Sequence, residues 1–497
     1  MSGMADKKNE FSYLNYSIPR AEAKYSILRW GWDGIDRNNT IDSGKISDCS
    51  GVDIDPPKIT AQHKFKPYAH YAEPIGIFGF DDFLVVVYRD AGKIKLDWRW
   101  KNSIRTGVIS DTQNDLLDLR PRSVVQFNVA KNTENIVAST FERKLLIFPD
   151  KVSIDFHPPA VVPCATLGAS YPELHMASVY GSRVFGVDNN LVYASGYNDY
   201  ANWDLDTADD VSSAHAWVSM SQSNVKADGE FTGIYTYDNH VVLFKKDFMQ
   251  LVYNNKNPFR IVDVGAYGAD NQNAIAEANG ILYFASQDGV YAFGGGTPKL
   301  VSTPLCVQNY AGAALGGYKD SLYCQIGNTL YRLKNGVWSG TDVEHRVLQF
   351  AANDNGLYGK LDNGDIVMIR SAEEDAENKD SSDDSFNPDD YGDWWFETDL
   401  LFAGRLDVRR AKKITLLGEI WKGSYVSAYL LKDGEKFDPA KSQMVLHSEK
   451  SGFQEMRGML RGFGAFCHRL RICGHGKAII HAAELMISWG GDVYKNS

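Results

Sequence analysis

The sequence has little of what would anchor most functional classes. Its six cysteines, Cys49, Cys164, Cys306, Cys324, Cys467 and Cys473, are scattered without CxxC spacing, which reads as reduced core thiols and not a disulfide framework. Cys467 and Cys473 lie near His468 and His475, but strand alternation puts Cys467 and His468 on opposite faces, so no metal site is assigned. There is no dense Lys/Arg tract, and the formal charge of −11 with a pI near 5.5 argues against a protein that grips nucleic acid by neutralising phosphates. Transient passage of DNA is compatible with that balance, because an acidic wall repels a polyanion and does not hold it. No apolar run is long enough to cross a bilayer, and Met1 to Glu10 are polar without an apolar leader core; the expectation is a chain made and kept in a cytosol-like compartment. Walker, GxSxG, HExxH and strand-to-helix GxGxxG motifs are all missing, so no catalytic residue and no cofactor is assigned.

Helical periodicity is also nearly absent. What recurs is an apolar strand, a tight polar turn and a second strand ending in an aromatic residue. Examples are Ile75–Phe80, Asp81-Asp82, Phe83–Tyr88; Ile234–Tyr237, Asp238-Asn239, Val241–Phe244; Ala274–Ala278, Asn279-Gly280, Ile281–Phe284; and Ala313–Tyr318, Lys319-Asp320, Leu322–Gln325. Further copies at Val179–Tyr193 and Leu348–Ile369, with a less regular one at Ile136–Phe148, bring the count to about seven, spaced by roughly 35 to 60 residues. No unit can bury its apolar face alone, whereas radial stacking buries them all and leaves only short strand edges. The fold class is therefore all-β: an irregular β-propeller of about six to eight blades over residues 71–370.

Three other regions complete the chain. Residues 371–393 are crowded with carboxylates, among them Asp383 and Asp384, and read as a solvated acidic linker or exposed loop. Residues 394–497 hold short alternating strands, clearest in Ile414, Leu416, Gly418, Ile420 and in Val426, Ala428, Leu430, which describe a C-terminal β-sandwich. Residues 1–70 read as an N-terminal arm that docks on a neighbour or braces the first blade. They are rich in turns, yet Tyr25, Trp30 and Trp32 are too apolar to leave in water.

Two segments invite a chemical reading. Ala285 to Val290 resembles the sialidase Asp-box but lacks the later Gly-x-Thr-Trp, and a hairpin Asp288-Gly289 accounts for it. The aromatic stretch Tyr193–Trp203 offers Tyr197, Tyr200 and Trp203 either as a glycan-stacking platform or as a packed connection between blades.

The order of features from Val179 to Ser302 is particular. A strand pair is followed by Val192-Tyr193-Ala194-Ser195-Gly196-Tyr197-Asn198-Asp199-Tyr200-Ala201-Asn202-Trp203, then Val242 to Phe248, Gly265, Asn273-Ala274-Ile275 and Ile281 to Tyr291. This resembles bacteriophage tail structural proteins, the β-propeller nozzle and tail-tube-like stabilisation proteins of short-tailed phages. Gly34-Ile35-Asp36, Gly51-Val52-Asp53 and Pro57 resemble the opening of that group, and Leu485–Gly491 its closing sandwich strand. The resemblance implies a virion tail protein, synthesised in the host cytoplasm, that forms a homo-oligomeric and commonly sixfold ring beside other tail or connector proteins. It implies transient, sequence-independent passage of the genome and no catalytic residues. On that reading acidic groups line the lumen, and Trp30, Trp32, Arg405, Arg409, Arg410, Lys412 and Lys413 lie at contacts between subunits or with neighbouring proteins. The alternatives are a tail-tip adhesin that binds host glycans and a propeller hydrolase.

Overall fold

The structure, a computed structural model, describes residues 25–30, 32–38, 44–100, 103–110, 120–129, 142–155, 164–168, 170–205, 215–219, 229–254, 259–372, 386–401 and 409–489. Five strands come first: β1 (Tyr25–Trp30), β2 (Ile46–Ser50), β3 (Val52–Asp55), β4 (Lys58–Ala61) and β5 (Lys66–His70). Blade one is β6 (Pro74–Phe80), β7 (Phe83–Asp90), β8 (Lys93–Trp100) and β9 (Ser103–Ser110). Blade two is β10 (Ser123–Val129), β11 (Glu142–Phe148), β12 (Val152–Asp155) and β13 (Cys164–Thr166), and blade three is β14 (Met176–Tyr180), β15 (Arg183–Asp188), β16 (Leu191–Ala194) and β17 (Trp217–Val218). Blade four is β18 (Gly233–Tyr237), β19 (His240–Phe244), β20 (Met249–Tyr253) and β21 (Arg260–Gly265), and blade five is β22 (Ile275–Ala278), β23 (Ile281–Ser286), β24 (Gly289–Phe293) and β25 (Lys299–Leu300). Blade six is β26 (Ala314–Tyr318), β27 (Ser321–Ile326), β28 (Thr329–Lys334) and β29 (Val337–Asp342). The last blade takes β30 (Val347–Asn353), β31 (Gly356–Leu361) and β32 (Asp365–Ser371), and its outer strand is β5 from the start of the chain.

The tight turns that spell the repeat in sequence are the hairpins between the first two strands of blades one and three to seven. Gly181 (φ 55°) with Ser182 (φ 61°) and Asn279 (φ 51°) with Gly280 (φ 69°) are two-residue turns with both residues left-handed, the geometry that matches strand twist. The second strands are continuous apolar runs because a blade is covered on both faces. In β7, Phe83, Val85 and Val87 face blade two, where they meet Val124 and Leu145, while Leu84 and Val86 face blade seven, where they meet Ala351, Tyr358 and Ile366. Equivalent clusters fill every other junction between neighbouring blades around the ring. Close approach is part of the design: a Cβ on Gly79 of β6 would lie 1.9 Å from the Ala352 carbonyl oxygen of blade seven, so only glycine fits there.

The remaining strands are β33 (Asp393–Thr398), β34 (Arg409–Ile420), β35 (Tyr425–Lys432), β36 (Met444–Ser448), β37 (Gly452–Ala465), β38 (His468–His475) and β39 (Ala478–Trp489). They form two sheets, β2-β33-β38-β35-β36 and β3-β4-β39-β34-β37, with β1 also paired to β39. Their inner faces share one core around Trp394, Phe396, Ile414, Leu416, Ile472 and Leu485. The chain is a seven-bladed β-propeller joined to a β-sandwich.

From Tyr25 onward, the described part of the N-terminal stretch corrects the expectation of a separate arm over 1–70, residues 1–24 lying outside the described residues. Strands β1 to β4 are built into both sandwich sheets, and β5 closes the propeller. Trp32 is 3% exposed; its indole Nε1 donates to the His481 carbonyl at 3.2 Å and its ring meets Phe396 edge-on. Trp32, too apolar to leave in water, finds its cover within the same chain, while the side chains of Tyr25 and Trp30 lie outside the described residues. The linker boundary shifts as well: Ser371 still belongs to β32 and Asp393 opens β33, and residues 373–385 lie outside the described residues.

The sandwich is seated on blade six. Ile35 N donates to the Trp338 carbonyl at 3.0 Å, Gly340 N donates to Cys49 Sγ at 3.4 Å, and Asp342 N donates to Ser50 Oγ at 3.0 Å. Beneath these contacts Asp53 of β3, 5% exposed, lies between Arg332 of β28 at 3.0 Å and Arg370 of β32, so one carboxylate binds the sandwich to two blades. Burial alone would raise that carboxyl, but the two guanidinium groups outweigh it and hold it below the ordinary range.

Asp53→Asn takes away the carboxylate that both arginines share, Arg332 keeping the longer contact to Asp55 at 3.7 Å, and should cost about 3–5 kcal/mol in chemical denaturation. Because the folded-state value lies below the unfolded one of about 3.9, the pairing stabilises fully above about pH 5 and is lost as pH falls through the folded value. The variant should accordingly show a shallower loss of stability on acidification than the wild type. Deletion of residues 1–60 removes β1 to β3 and all of β4 but Ala61, and should lower Tm by about 10 °C or more in calorimetry, a folding defect and not only an assembly defect.

Candidate functional site

The first strand of each blade faces the axis, and together they enclose a channel of about 1130 Å³, the size of a small-molecule pocket. Ile75, Phe78, Val124, Met176, Ile275 and Leu315 give it an apolar wall, broken by Glu73, Arg120, Arg122, His175, Asn273 and Lys360. Most of these polar groups are engaged. Glu73 takes two bonds from Arg89 at 2.5 Å, Arg122 and Asp150 form a two-point pair at 3.0 Å, and His175 lies 3.2 Å from Asp188. Lys360 donates to the Ile75 carbonyl at 2.9 Å, and burial pushes its ammonium below the usual lysine value.

Two channel glutamines join blades that share no ladder. Gln349 of blade seven donates through Nε2 to the Ile77 carbonyl at 2.9 Å and accepts from Ile77 N at 3.1 Å. Gln272, just before blade five, does the same for Ile234 of blade four, at 2.9 and 2.8 Å. Each carboxamide thus occupies the place of one more strand residue. Among the described residues the lining has one carboxylate, Glu73, beside Arg120, Arg122 and Lys360, so the described wall of the axial channel is not acidic. Among the described residues there is no group of three or more His, Cys, Asp or Glu placed to hold a metal ion.

Most of the aromatic segment is a packing device. Trp203 is 8% exposed, its Nε1 and the Tyr171 hydroxyl both donate to the Tyr200 carbonyl at 3.0 and 2.6 Å, and the Trp203 and Tyr171 rings lie 5.6 Å apart. Tyr200 packs against Phe127 of blade two, and Tyr197, half-buried, lies over the buried Arg183. Trp203 and Tyr200 are thus committed to the junction of blades two and three, and the expectation that Tyr197, Tyr200 and Trp203 form one exposed platform is corrected at Trp203, whose ring is buried. Such a segment saves burial for its rings at the cost of their accessibility.

The sequence-assigned contact residues divide. Arg405 and the side chains of Trp30 and Arg409 lie outside the described residues. Arg410, exposed, and Lys412 and Lys413, half-buried, lie on β34, which pairs with both β37 and β39, so they present charge from a sheet face and not from an edge. Lys413 stands opposite Met459 of β37.

That neighbourhood contains what sequence reading missed. The two sheets end, on the side away from blade six, in β36 and β37; among the described residues each has one strand partner and no backbone hydrogen bond joins them. The outward face of β37 carries Phe453, Glu455, Arg457 and Met459, with Met459 78% and Phe453 63% exposed. Met444 of β36 and Phe466 beyond β37 are also exposed. The available signal was the alternation from Phe453 to Met459 between glycines.

No protein-family model matches the chain, and no curated protein matches it. Solved structures that it is similar to include a streptogramin B lyase (10% identity, 61% of this chain and 95% of that one, TM-score 0.39). Others are the WD40 domain of Neurospora crassa Pan2 (10%, 61% and 90%, 0.37) and the WD40 domain of Toxoplasma gondii coronin (8%, 67% and 87%, 0.35). At such values the seven-bladed assignment rests on the strand pairing itself.

Gln349→Leu removes both bonds to Ile77 while keeping the volume, and leaves a backbone N–H and carbonyl facing the channel. It should cost about 1–3 kcal/mol in denaturant unfolding.

Proposed function

We propose that the protein is a structural subunit of a bacteriophage tail, of the nozzle or tail-tube-like type, which forms a homo-oligomeric ring on the genome's exit path. What supports the reading is the sequence resemblance together with the far end of the sandwich. There β34 presents Arg410, Lys412 and Lys413 from a sheet face, and the far end of the other sheet exposes Met444 of β36, a combination of charge and apolar surface that suits contact with another protein. The propeller and sandwich are bound to each other through Asp53 and the blade-six contacts, which suits a part that must transmit load without flexing. An acidic lining on this reading belongs to the surface enclosed between subunits, since the described wall of the axial channel within one subunit is not acidic. The glycan-binding alternative draws no support from the aromatic segment, which is packed between blades.

Native mass spectrometry and negative-stain imaging of the full chain test the reading. Closed rings, six subunits each by the resemblance, are expected. Monomers that bind cell-wall polysaccharide would overturn it in favour of an adhesin.

A further inference from the structure

Strand β37 is 14 residues long, lies at the end of its sheet and, among the described residues, pairs only with β34. Natural sheets protect such an edge with proline, inward charges or a covering element. This one instead alternates inward Met456, Gly458 and Leu460 with outward Phe453, Glu455, Arg457 and Met459. Within one subunit Arg457 already reaches back to Glu455 with two bonds at 2.7 Å, and both side chains remain largely exposed, at 61% and 42%.

The outward sequence is complementary to itself when reversed. If a second β37 is laid antiparallel along the free edge with the two-fold axis at Met456, Glu455 falls opposite Arg457 and Arg457 opposite Glu455. The same register sets Phe453 opposite Met459 at both ends. Centring the axis on 455 or 457 places like charges face to face, which is destabilising between directly opposed residues. One register therefore satisfies both the charged and the apolar pairs.

From this we infer that two copies of the chain associate through β37, edge to edge and antiparallel, joining their β3-β4-β39-β34-β37 sheets into one sheet that crosses the interface. The partner is a second copy because the charge pattern is its own complement under a two-fold axis, which is what an isologous contact requires. Backbone hydrogen bonds along the edge supply adhesion, as in strand addition, and the Glu455–Arg457 pairs set the register. The exposed Phe453 and Met459 are covered in the same step. A two-fold contact joins subunits in opposite orientations, so it is separate from the head-to-tail contact that closes a ring. The inference goes beyond the tail-ring reading and does not rest on it.

The test is the mass of the full chain by light scattering and native mass spectrometry, with Arg457→Glu and with the swapped pair E455R/R457E. The wild type should form a two-fold species; Arg457→Glu, which opposes glutamates across the axis, should weaken it by about tenfold or more, and the swap should restore it. A second readout is disulfide formation in E455C/R457C, where cysteines opposed across the axis should cross-link two chains on mild oxidation. A wild type that stays monomeric at about 100 μM, an association indifferent to Arg457→Glu, or the absence of that cross-link would overturn the inference. Ring formation is read separately: missing rings with an Arg457-sensitive dimer overturn only the tail-ring reading.

Discussion

Strand β5 lies along β32 with Asp365 opposite His70 and Met368 opposite Lys66, and that pairing ties a strand from the N-terminal side to the last blade. A propeller blade buries both of its faces, so six blades without a complete seventh would leave two apolar surfaces in water. Supplying the outer strand from the N-terminal side makes closure depend on a long-range contact. It also places the preceding hairpin, β3–β4, beside blade six, where the sandwich must then assemble. Ring closure and sandwich formation are in this sense one event: Asp53 of β3 reaches Arg332 in blade six and Arg370 in blade seven only when both are in place.

The energetic logic differs between the two halves. The propeller is held by apolar clusters at every blade junction, reinforced along the channel by groups that imitate a strand, namely Gln349 toward Ile77 and Gln272 toward Ile234. Neutral amides suit that position because they satisfy an N–H and a C=O together without bringing a buried charge. The junction with the sandwich uses charge, and uses it in a closed set, one carboxylate against two guanidinium groups that are themselves bonded elsewhere. Such a set contributes less to net stability than to fixing a single relative placement of its members.

The surface divides along similar lines. Toward blade six the sandwich sheets end against protein, whereas at the far side β36 and β37 end against solvent with large apolar side chains uncovered. An edge of that kind is costly for a subunit alone and useful for a subunit that is meant to be joined. The axial channel has the opposite character: its polar groups are mostly bonded to one another or to backbone, so it reads as the closed centre of a scaffold with space for a small solute.

The amino-acid sequence by itself determined the class, the repeat and the turns. Asp81-Asp82, Gly181-Ser182, Asp238-Asn239, Asn279-Gly280 and Lys319-Asp320 fall where hairpins form, because a two-residue turn is a local event governed by its own φ angles. Continuous apolar runs such as Phe83–Val87 likewise announced strands covered on two faces. Only the tertiary structure decided where strands without a local partner would go. Residues 25–61 look like a loose arm because their partners, β33 and β39, lie hundreds of residues away, and Trp32 looks like an interface residue for the same reason. Strand β37 was hidden by its glycines, yet Gly458 is there because a Cβ would meet the Val445 carbonyl at 2.1 Å as β36 crosses the inner face. The Tyr197–Trp203 rings could equally have faced water or a neighbouring blade, and the choice belonged to Phe127 and Tyr171, whose position depends on the assembled ring. Periodicity reports which groups avoid water; the identity of the covering surface is a property of the closed fold.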